Sequence, residues 1–247
     1  MEFEKVNLSG DFEVAHISNR SGGYISKNKF LFEQIELNDL NKFILEKSVF
    51  GTPVFKFGNG GTNILVLSGI HGNELPAQAA SLRIINDLIS KDLKNTVYVI
   101  PFAAPAATMH NERTFNMMDL NRSAHVKDSI SNLIVDACIE LNVDFVGDFH
   151  STAYNSKPGF ESVFSSKSPS GESYLIASYI SQDVGSEVIA FDYAGMSYKG
   201  AVEDVCNLRG IPSITCEVLS SFSRISDGSV EKSYAQMKSF LSYFGIE

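Results

Sequence analysis

The feature that most constrains this sequence is a regular alternation of strand-length apolar runs with amphipathic helical segments, which begins after Gly58–Gly61. The run Asn63–Ile70 is apolar at most positions, as is typical of a strand buried on both faces of a parallel sheet. The next segment, Glu74–Ser90, repeats its apolar residues at helical spacing. Because a strand, a helix and a second strand form a βαβ crossover, this alternation favours a helix-covered, mostly parallel sheet.

The same alternation continues to the end of the chain. Further strands are predicted at 96–100, 143–150, 160–164, 187–190 and 212–218, and further helices at 129–141, 172–182, 201–208 and 230–244. A long polar stretch, 103–124, interrupts the pattern. The predicted fold class is therefore α/β, a three-layer αβα arrangement with a central mixed, mostly parallel sheet.

The first 56 residues are less regular. Strands are predicted at 12–17 and 30–35 and a short helix at 38–47. We expect a single domain over 1–247, in which 1–56 form an N-terminal extension packed on or beside the sheet and 57–247 form the core that carries the site.

Composition narrows the classes of partner. With 20 Lys and Arg against 29 Asp and Glu, the formal net charge is −9, which argues against nucleic acid and anionic membranes as partners. No apolar run approaches the roughly 20 residues that span a bilayer, and the N-terminus lacks the pattern of a signal peptide. Three widely spaced cysteines, Cys138, Cys206 and Cys216, indicate reduced thiols. We expect a cytoplasmic protein, and the sequence is compatible with a homo-oligomer.

Three predicted strands run into polar residues that carry chemistry: the first into His71 and Glu74, the second into His150 and the third into Glu217. Ligands bind beyond the carboxyl ends of strands in such sheets. Two histidines and a glutamate are a sufficient ligand set for a catalytic zinc ion. We therefore predict one zinc ion per chain, held by His71, Glu74 and His150.

The H-x-x-E spacing alone is a weak signal, because His125 and Asp128 share it. The position of His71 and Glu74 after a buried strand is what favours them. An ordinary turn followed by an acidic helix N-terminus is the alternative interpretation.

Other residues fit metal-assisted hydrolysis of an amide. Glu217 lies at the end of an apolar strand, where burial of a carboxylate without a partner or a function costs free energy. It could act as the general base. Arg113 could stabilise an oxyanion. Asn121 and Arg122 could hold a substrate carboxylate through an amide and a guanidinium fork. The alternative interpretation of Glu217 is a carboxylate in a surface loop at the rim of the sheet. For Arg113 and Arg122 the alternative is an ordinary solvated surface arginine.

Together these motifs resemble, in their order, those of the zinc carboxypeptidase-like enzymes, and most closely the succinylglutamate desuccinylase/aspartoacylase family. The similar segments are G-x-H-G-N-E at 69–74, D-L-N-R at 119–122 and D-F-H-S-T at 148–152, followed by Glu217. The resemblance implies a mixed sheet flanked by helices, a zinc ion, Glu217 as base and then acid, and Arg113 beside the scissile carbonyl. It also implies that Asp119 accepts the free N–H of a ligating histidine, His71.

The sequence departs from that family in three respects, one of which is that residues 1–56 have no counterpart in it. The aspartoacylase branch carries a further β-rich C-terminal domain, whereas 30 residues follow Glu217 here. Carboxypeptidases also use a mobile tyrosine before the catalytic glutamate. Tyr193 and Tyr198 lie in the corresponding stretch, but neither sits in an alignable motif, so a core or surface role is expected for each.

The leading hypothesis is a cytoplasmic zinc-dependent amidohydrolase that deacylates a small anionic substrate, an N-acyl amino acid. A metallocarboxypeptidase acting on a short peptide and a non-catalytic metal-binding relative are the alternatives. They differ in the predicted site: a peptidase needs a groove and an aligned tyrosine, and a binding module has no need of Glu217. A structural protein without metal would require all four motifs to be coincidental.

Overall fold

Nine strands form one continuous sheet in the computed structural model, which describes residues 1–247. The strands are β1 (Glu4–Asn7), β2 (Asp11–Ser18), β3 (Thr52–Phe57), β4 (Asn63–Ser68), β5 (Thr96–Ile100), β6 (Phe145–Thr152), β7 (Ser162–Ser166), β8 (Glu187–Phe191) and β9 (Ser213–Leu219). The helices are α1 (Lys29–Phe32), α2 (Asp39–Val49), α3 (Leu75–Leu88), α4 (Pro105–His110), α5 (Ile130–Glu140), α6 (Glu172–Val184), α7 (Val202–Leu208) and α8 (Ser229–Ser242).

The strand order is β1-β2-β3-β5-β4-β6-β9-β7-β8. The centre is parallel, through the pairs β5–β4, β4–β6 and β6–β9, and β7–β8 is also parallel. The other four pairs are antiparallel. The predicted α/β class with a mixed sheet flanked by helices is confirmed. The parallel share is smaller than expected, half of the pairs, because β1, β2 and β3 add antiparallel strands at one edge and β7 runs against β9.

Helices cover both faces of the sheet and create two hydrophobic cores. One core contains residues of α2, α3, α6 and α8, and the other contains residues of α4, α5 and α7. Alternate residues of β4 divide between them: Ile64 and Val66 face the first core, whereas Leu65 and Leu67 face the second. Since both faces of this strand are buried, its continuous apolar run is explained. No helix has both the length and the apolar composition needed to cross a membrane.

The predicted strand at 30–35 is wrong, because the chain forms α1 at Lys29–Phe32 there. The Asn28 side chain accepts a hydrogen bond from the Leu31 N–H and so caps the helix. Leu31 and Ile35, four residues apart, are both buried, which is helical spacing. Three further elements, β1, β3 and α4, were not predicted. Pro53 lies within β3 and weakened the strand signal there.

Parallel pairing in the centre brings the ends of three strands to one edge. Ser68 of β4 pairs with Phe149 of β6, and His150 of β6 pairs with Glu217 of β9. Residues that follow or end these strands therefore meet at the same place, as expected for a parallel sheet.

We expect the Phe240→Ala variant to lose about 3–5 kcal/mol of unfolding free energy, because it would leave a cavity behind β6. The Phe240 ring is fully buried and packs edge-to-face on Phe149, with centroids 6.0 Å apart. A Cβ at Gly147 would lie only 2.9 Å from the same ring. Urea denaturation measures the loss. Leu175→Ala, at an exposed position of α6, is the control and should change stability by less than about 0.5 kcal/mol. Equal losses in the two variants would contradict this account.

Candidate metal and active site

His71 and Glu74 lie in the turn that joins β4 to α3. The turn needs glycine at two positions: Gly69 has a φ of +76° and lies against Phe102 and Ala103, and a Cβ at Gly72 would collide with the backbone of α4. The Glu74 N–H donates to the His71 carbonyl at 3.2 Å, and α3 begins at the next residue. The tight turn therefore holds the two side chains on the same side of the chain.

The three predicted metal ligands converge. His71 Nδ1 lies 2.8 Å from Glu74 Oε1, and His150 Nδ1 lies 2.7 Å from Glu74 Oε2. One donor atom from each residue lies within 4.8 Å of the other two, and all three side chains are buried. No other group of three or more histidine, cysteine or carboxylate side chains has this arrangement. The competing pair, His125 and Asp128, is not part of such a group.

The outward nitrogens of both imidazoles face carboxylates. His71 Nε2 lies 2.9 Å from Asp119 Oδ1. His150 Nε2 lies 2.9 Å from Asp148 Oδ2, within ion-pair distance but outside hydrogen-bonding angles. A carboxylate on the far nitrogen is the usual partner of a metal-binding imidazole, because it fixes the ring and leaves the other nitrogen for the metal. The donor set, its burial and these outer partners fit a divalent metal ion such as zinc.

Electrostatic interactions within the cluster shift three pKa values. Burial alone would raise the pKa of Glu74, but the adjacent imidazoles outweigh it and hold that pKa well below its usual range. Desolvation also opposes ionisation of Asp119, yet His71 and Arg113 lower its pKa. For His150, burial favours the neutral ring, whereas Asp148 and Glu74 raise the pKa well above its ordinary value.

Arg113 lies between two of these carboxylates. Its Nη1 lies 3.1 Å from Glu74 Oε1 and its Nη2 lies 3.2 Å from Asp119 Oδ2. The guanidinium also lines the cavity beside the cluster. The two ion pairs fix its orientation, so a cation faces the cavity next to the metal ligands.

Glu217 faces the same cavity from the end of β9. Its Oε2 atom is buried and has no hydrogen-bond partner. Burial, and then the charge of Glu74, raise the pKa of Glu217 to about 8, although His150 acts in the opposite direction. A carboxyl group whose pKa lies near neutral pH, and which has no hydrogen-bond partner in the protein, is suited to proton transfer.

The cavity has a volume of about 300 Å³, enough for a small molecule. Asn121 and Arg122 line it, in a short turn that begins at Asp119. Asn121 Oδ1 accepts from the Val202 N–H at 3.3 Å, and no protein group accepts from its Nδ2. The Arg122 guanidinium lies 5.0 Å above the Tyr198 ring, within cation–π distance.

The structure thus brings most of the predicted residues to one cavity, which His71, Glu74, Arg113, Asn121, Arg122 and Glu217 line directly. His150 and Asp119 lie just behind this lining. All three cysteines are buried and free, and none lines the cavity. Tyr198, Glu203 and Lys157 line it as well, and none of the three was predicted as a site residue. Tyr193 is exposed and is absent from the lining.

Residues 60–168 match the family model described as the succinylglutamate desuccinylase/aspartoacylase catalytic domain. This match confirms the resemblance predicted from the motifs, and it includes all three candidate ligands but not Glu217. No curated protein sequence matches the chain significantly.

Several solved structures share the fold. An aspartoacylase family protein from Mesorhizobium loti is 22% identical, with a TM-score of 0.59 over 79% of this chain and 62% of that one. A succinylglutamate desuccinylase from a Silicibacter species is 16% identical, with a TM-score of 0.64 over 81% and 63%. A metallo-carboxypeptidase from Burkholderia cenocepacia is 13% identical, with a TM-score of 0.58 over 78% and 61%. The chain therefore spans about three fifths of the length of these proteins.

We expect Asp119→Asn to weaken zinc binding about 10- to 100-fold, because the His71 ring would lose its anionic partner. Competition with a chromophoric chelator measures the affinity. Asp136→Asn removes the same charge from an exposed position of α5 and should leave the affinity unchanged. Equal affinities of the Asp119→Asn variant and the unsubstituted protein would remove Asp119 from this role.

Proposed function

We propose that this protein is a zinc-dependent hydrolase that cleaves the amide bond of a small carboxylate-bearing substrate, an N-acyl amino acid. The observation that carries the proposal is the convergence of a buried His-Glu-His cluster with Glu217 and Arg113 on one cavity. The family match at 60–168 and the fold shared with deacylases and carboxypeptidases support a hydrolase of this kind.

His71, Glu74 and His150 would hold one zinc ion per chain. When bound, zinc supplies a Lewis acid for the substrate carbonyl and lowers the pKa of water toward about 7. Imidazole and carboxylate ligands also suit other divalent ions, so metal analysis of the purified protein belongs with every activity assay.

Glu217 moves the proton in this scheme. It takes a proton from the attacking water as the oxygen bonds to the acyl carbon, and it gives that proton to the amide nitrogen as the carbon–nitrogen bond breaks. The products are a carboxylic acid and a free amine. Arg113 stabilises the negative charge that develops on the carbonyl oxygen, since the ion pairs with Glu74 and Asp119 hold its guanidinium at the cavity.

Asn121 and Arg122 hold the substrate carboxylate. Both residues line the cavity. Nδ2 of Asn121 has no acceptor in the protein, and Arg122 Nη1 donates to the Asn121 carbonyl, which leaves the other guanidinium nitrogens for a carboxylate. The Tyr198 ring lies beneath the Arg122 guanidinium, within cation–π distance. Against a net charge of −9, these cations favour a small anion at the cavity over a large polyanion on the surface.

A metallocarboxypeptidase acting on a short peptide is the second candidate. The presence of Tyr198 in the cavity favours it, because carboxypeptidases of this fold use a tyrosine near the catalytic glutamate. A parallel assay of N-acyl amino acids and short peptides separates the two activities.

We expect Glu217→Gln to reduce kcat about 10²- to 10⁴-fold, because the amide cannot accept the proton of water. Zinc content should stay near one ion per chain, since Glu217 is not a ligand. Both are measured on the same preparation, by steady-state kinetics and by elemental analysis. Glu187→Gln, exposed at the start of β8, is the charge-matched control. Retained turnover in the Glu217→Gln variant would exclude its role as base.

We expect Arg122→Ala to lower kcat/KM for an N-acyl amino acid about 10- to 100-fold, the loss of one charge-assisted contact. The same substrate with its α-carboxylate converted to a primary amide should be affected much less, because the contact is already missing. Arg83→Ala, on the surface of α3, serves as the control. Equal losses on both substrates would show that Arg122 does not hold the carboxylate.

A further inference from the structure

Glu203 is a buried acid at the cavity that the proposed reaction does not use. It lies in the first turn of α7 and lines the cavity, yet only 6% of the residue is exposed. Burial, and then the charge of Asp204, raise the pKa of Glu203 to about 8. An ionised carboxylate in such a position is costly unless it has a partner.

The carboxyl group of Glu203 accepts one hydrogen bond from the protein and forms no ion pair. Its Oε1 accepts from Asn207 Nδ2 at 2.7 Å. The charges that act on it most strongly belong to Asp204 and Asp148, which are both acidic. Asn207 Nδ2 also donates to the backbone carbonyls of Glu203 and Ser213, so the α7 network does not require a charged side chain at 203.

The position of Glu203 adjoins the residues proposed to hold the substrate carboxylate. The N–H of Val202, the preceding residue, donates to Asn121 Oδ1 at 3.3 Å. Gly200 packs so closely on the Arg122 carbonyl that a Cβ there would collide with it. Phe164, Tyr198 and Thr215 also line the cavity, and they are neighbours: Phe164 pairs with Thr215 across β7 and β9, and its ring centroid lies 5.3 Å from that of Tyr198. A substrate held by its carboxylate at Asn121 and Arg122 thus meets Glu203 within the same small cavity, apart from Glu74 and Glu217 of the proposed catalytic centre.

We propose that Glu203 is a specificity-determining residue, which selects N-acyl amino acids whose side chain ends in a cation, such as Nα-acyl lysine or Nα-acyl ornithine. This inference rests on the proposed function for the orientation of the substrate. An apolar stem suits the rings of Phe164 and Tyr198, and the terminal ammonium supplies the positive charge that Glu203 lacks. A neutral side chain of equal length leaves the buried acid unpaired, which disfavours it.

Binding tests the inference independently of turnover. We would use zinc-loaded Glu217→Gln protein, in which the ligand is not consumed, and measure affinities by titration calorimetry. Nα-acetyl-L-lysine is compared with Nα-acetyl-L-norleucine, and Nα-acetyl-L-ornithine with Nα-acetyl-L-norvaline, because each pair differs in the terminal ammonium. We expect at least one cationic ligand to bind about tenfold or more tightly than its neutral counterpart.

Adding Glu203→Gln to the same protein should abolish that preference, because the cationic ligands lose their partner, while the affinity for the neutral ligands stays the same or rises. The amide can still accept from Asn207, and an unchanged melting temperature confirms that α7 is intact. Glu46→Gln, on the exposed side of α2, controls for net charge and should retain the preference.

Three results would overturn the inference: equal affinities within both pairs, no binding of either cationic ligand, or a preference that survives Glu203→Gln. Failure of the proposed function gives a different result. In that case the unsubstituted protein hydrolyses none of the four compounds, while the preference for the cationic ligands and its dependence on Glu203 persist.

Discussion

The parallel register of β4, β6 and β9 is the constraint on which the site depends. Pairing of His150 with Glu217 brings a ligand and the proposed base to neighbouring strands. The turn after β4 then brings His71 and Glu74 to the same edge. A shift of one residue would direct each side chain to the opposite face of the sheet. The helices α3 and α8 pack on one face of the sheet, and α5 and α7 pack on the other. By stabilising this strand register, they also fix the positions of the site side chains.

The central carboxylate, Glu74, organises the charges within that frame. It lies within hydrogen-bonding distance of both imidazoles and of Arg113, while Asp119 links His71 to Arg113 from the other side. Acids and bases alternate around the cluster, so that each buried charge meets one of opposite sign. Glu203 and the Oε2 atom of Glu217 are the buried acidic groups that face the cavity without such a partner.

The sequence was most informative where local pattern and chemistry coincide. His71, Glu74, His150 and Glu217 could be located because each follows or ends an apolar strand, and the family motifs then assigned Asp119 through Arg122. Phe30–Ile35 was misinterpreted because its aromatic and β-branched residues suit a strand, whereas the Asn28 cap and the burial of Leu31 and Ile35 favour a helical turn. Strand β3 depends on tertiary pairing with β2 and β5, which local propensity does not reveal.

Tyr198 and Glu203 could not be located in the same way, because the path of the chain between β8 and α7 brings them to the cavity. The positions of Tyr198 and Glu203 depend on the close packing of Gly200 against Arg122 and His125. They also depend on the hydrogen bond from the Val202 N–H to Asn121 Oδ1. Glu203 also has an energetic cost. A carboxyl whose pKa is higher in the folded chain lowers stability as pH rises from about 4.5 to about 8, and that cost stays in full above this range. A ligand that places a positive charge beside Glu203 would offset the free-energy cost of burying this carboxylate at the cavity.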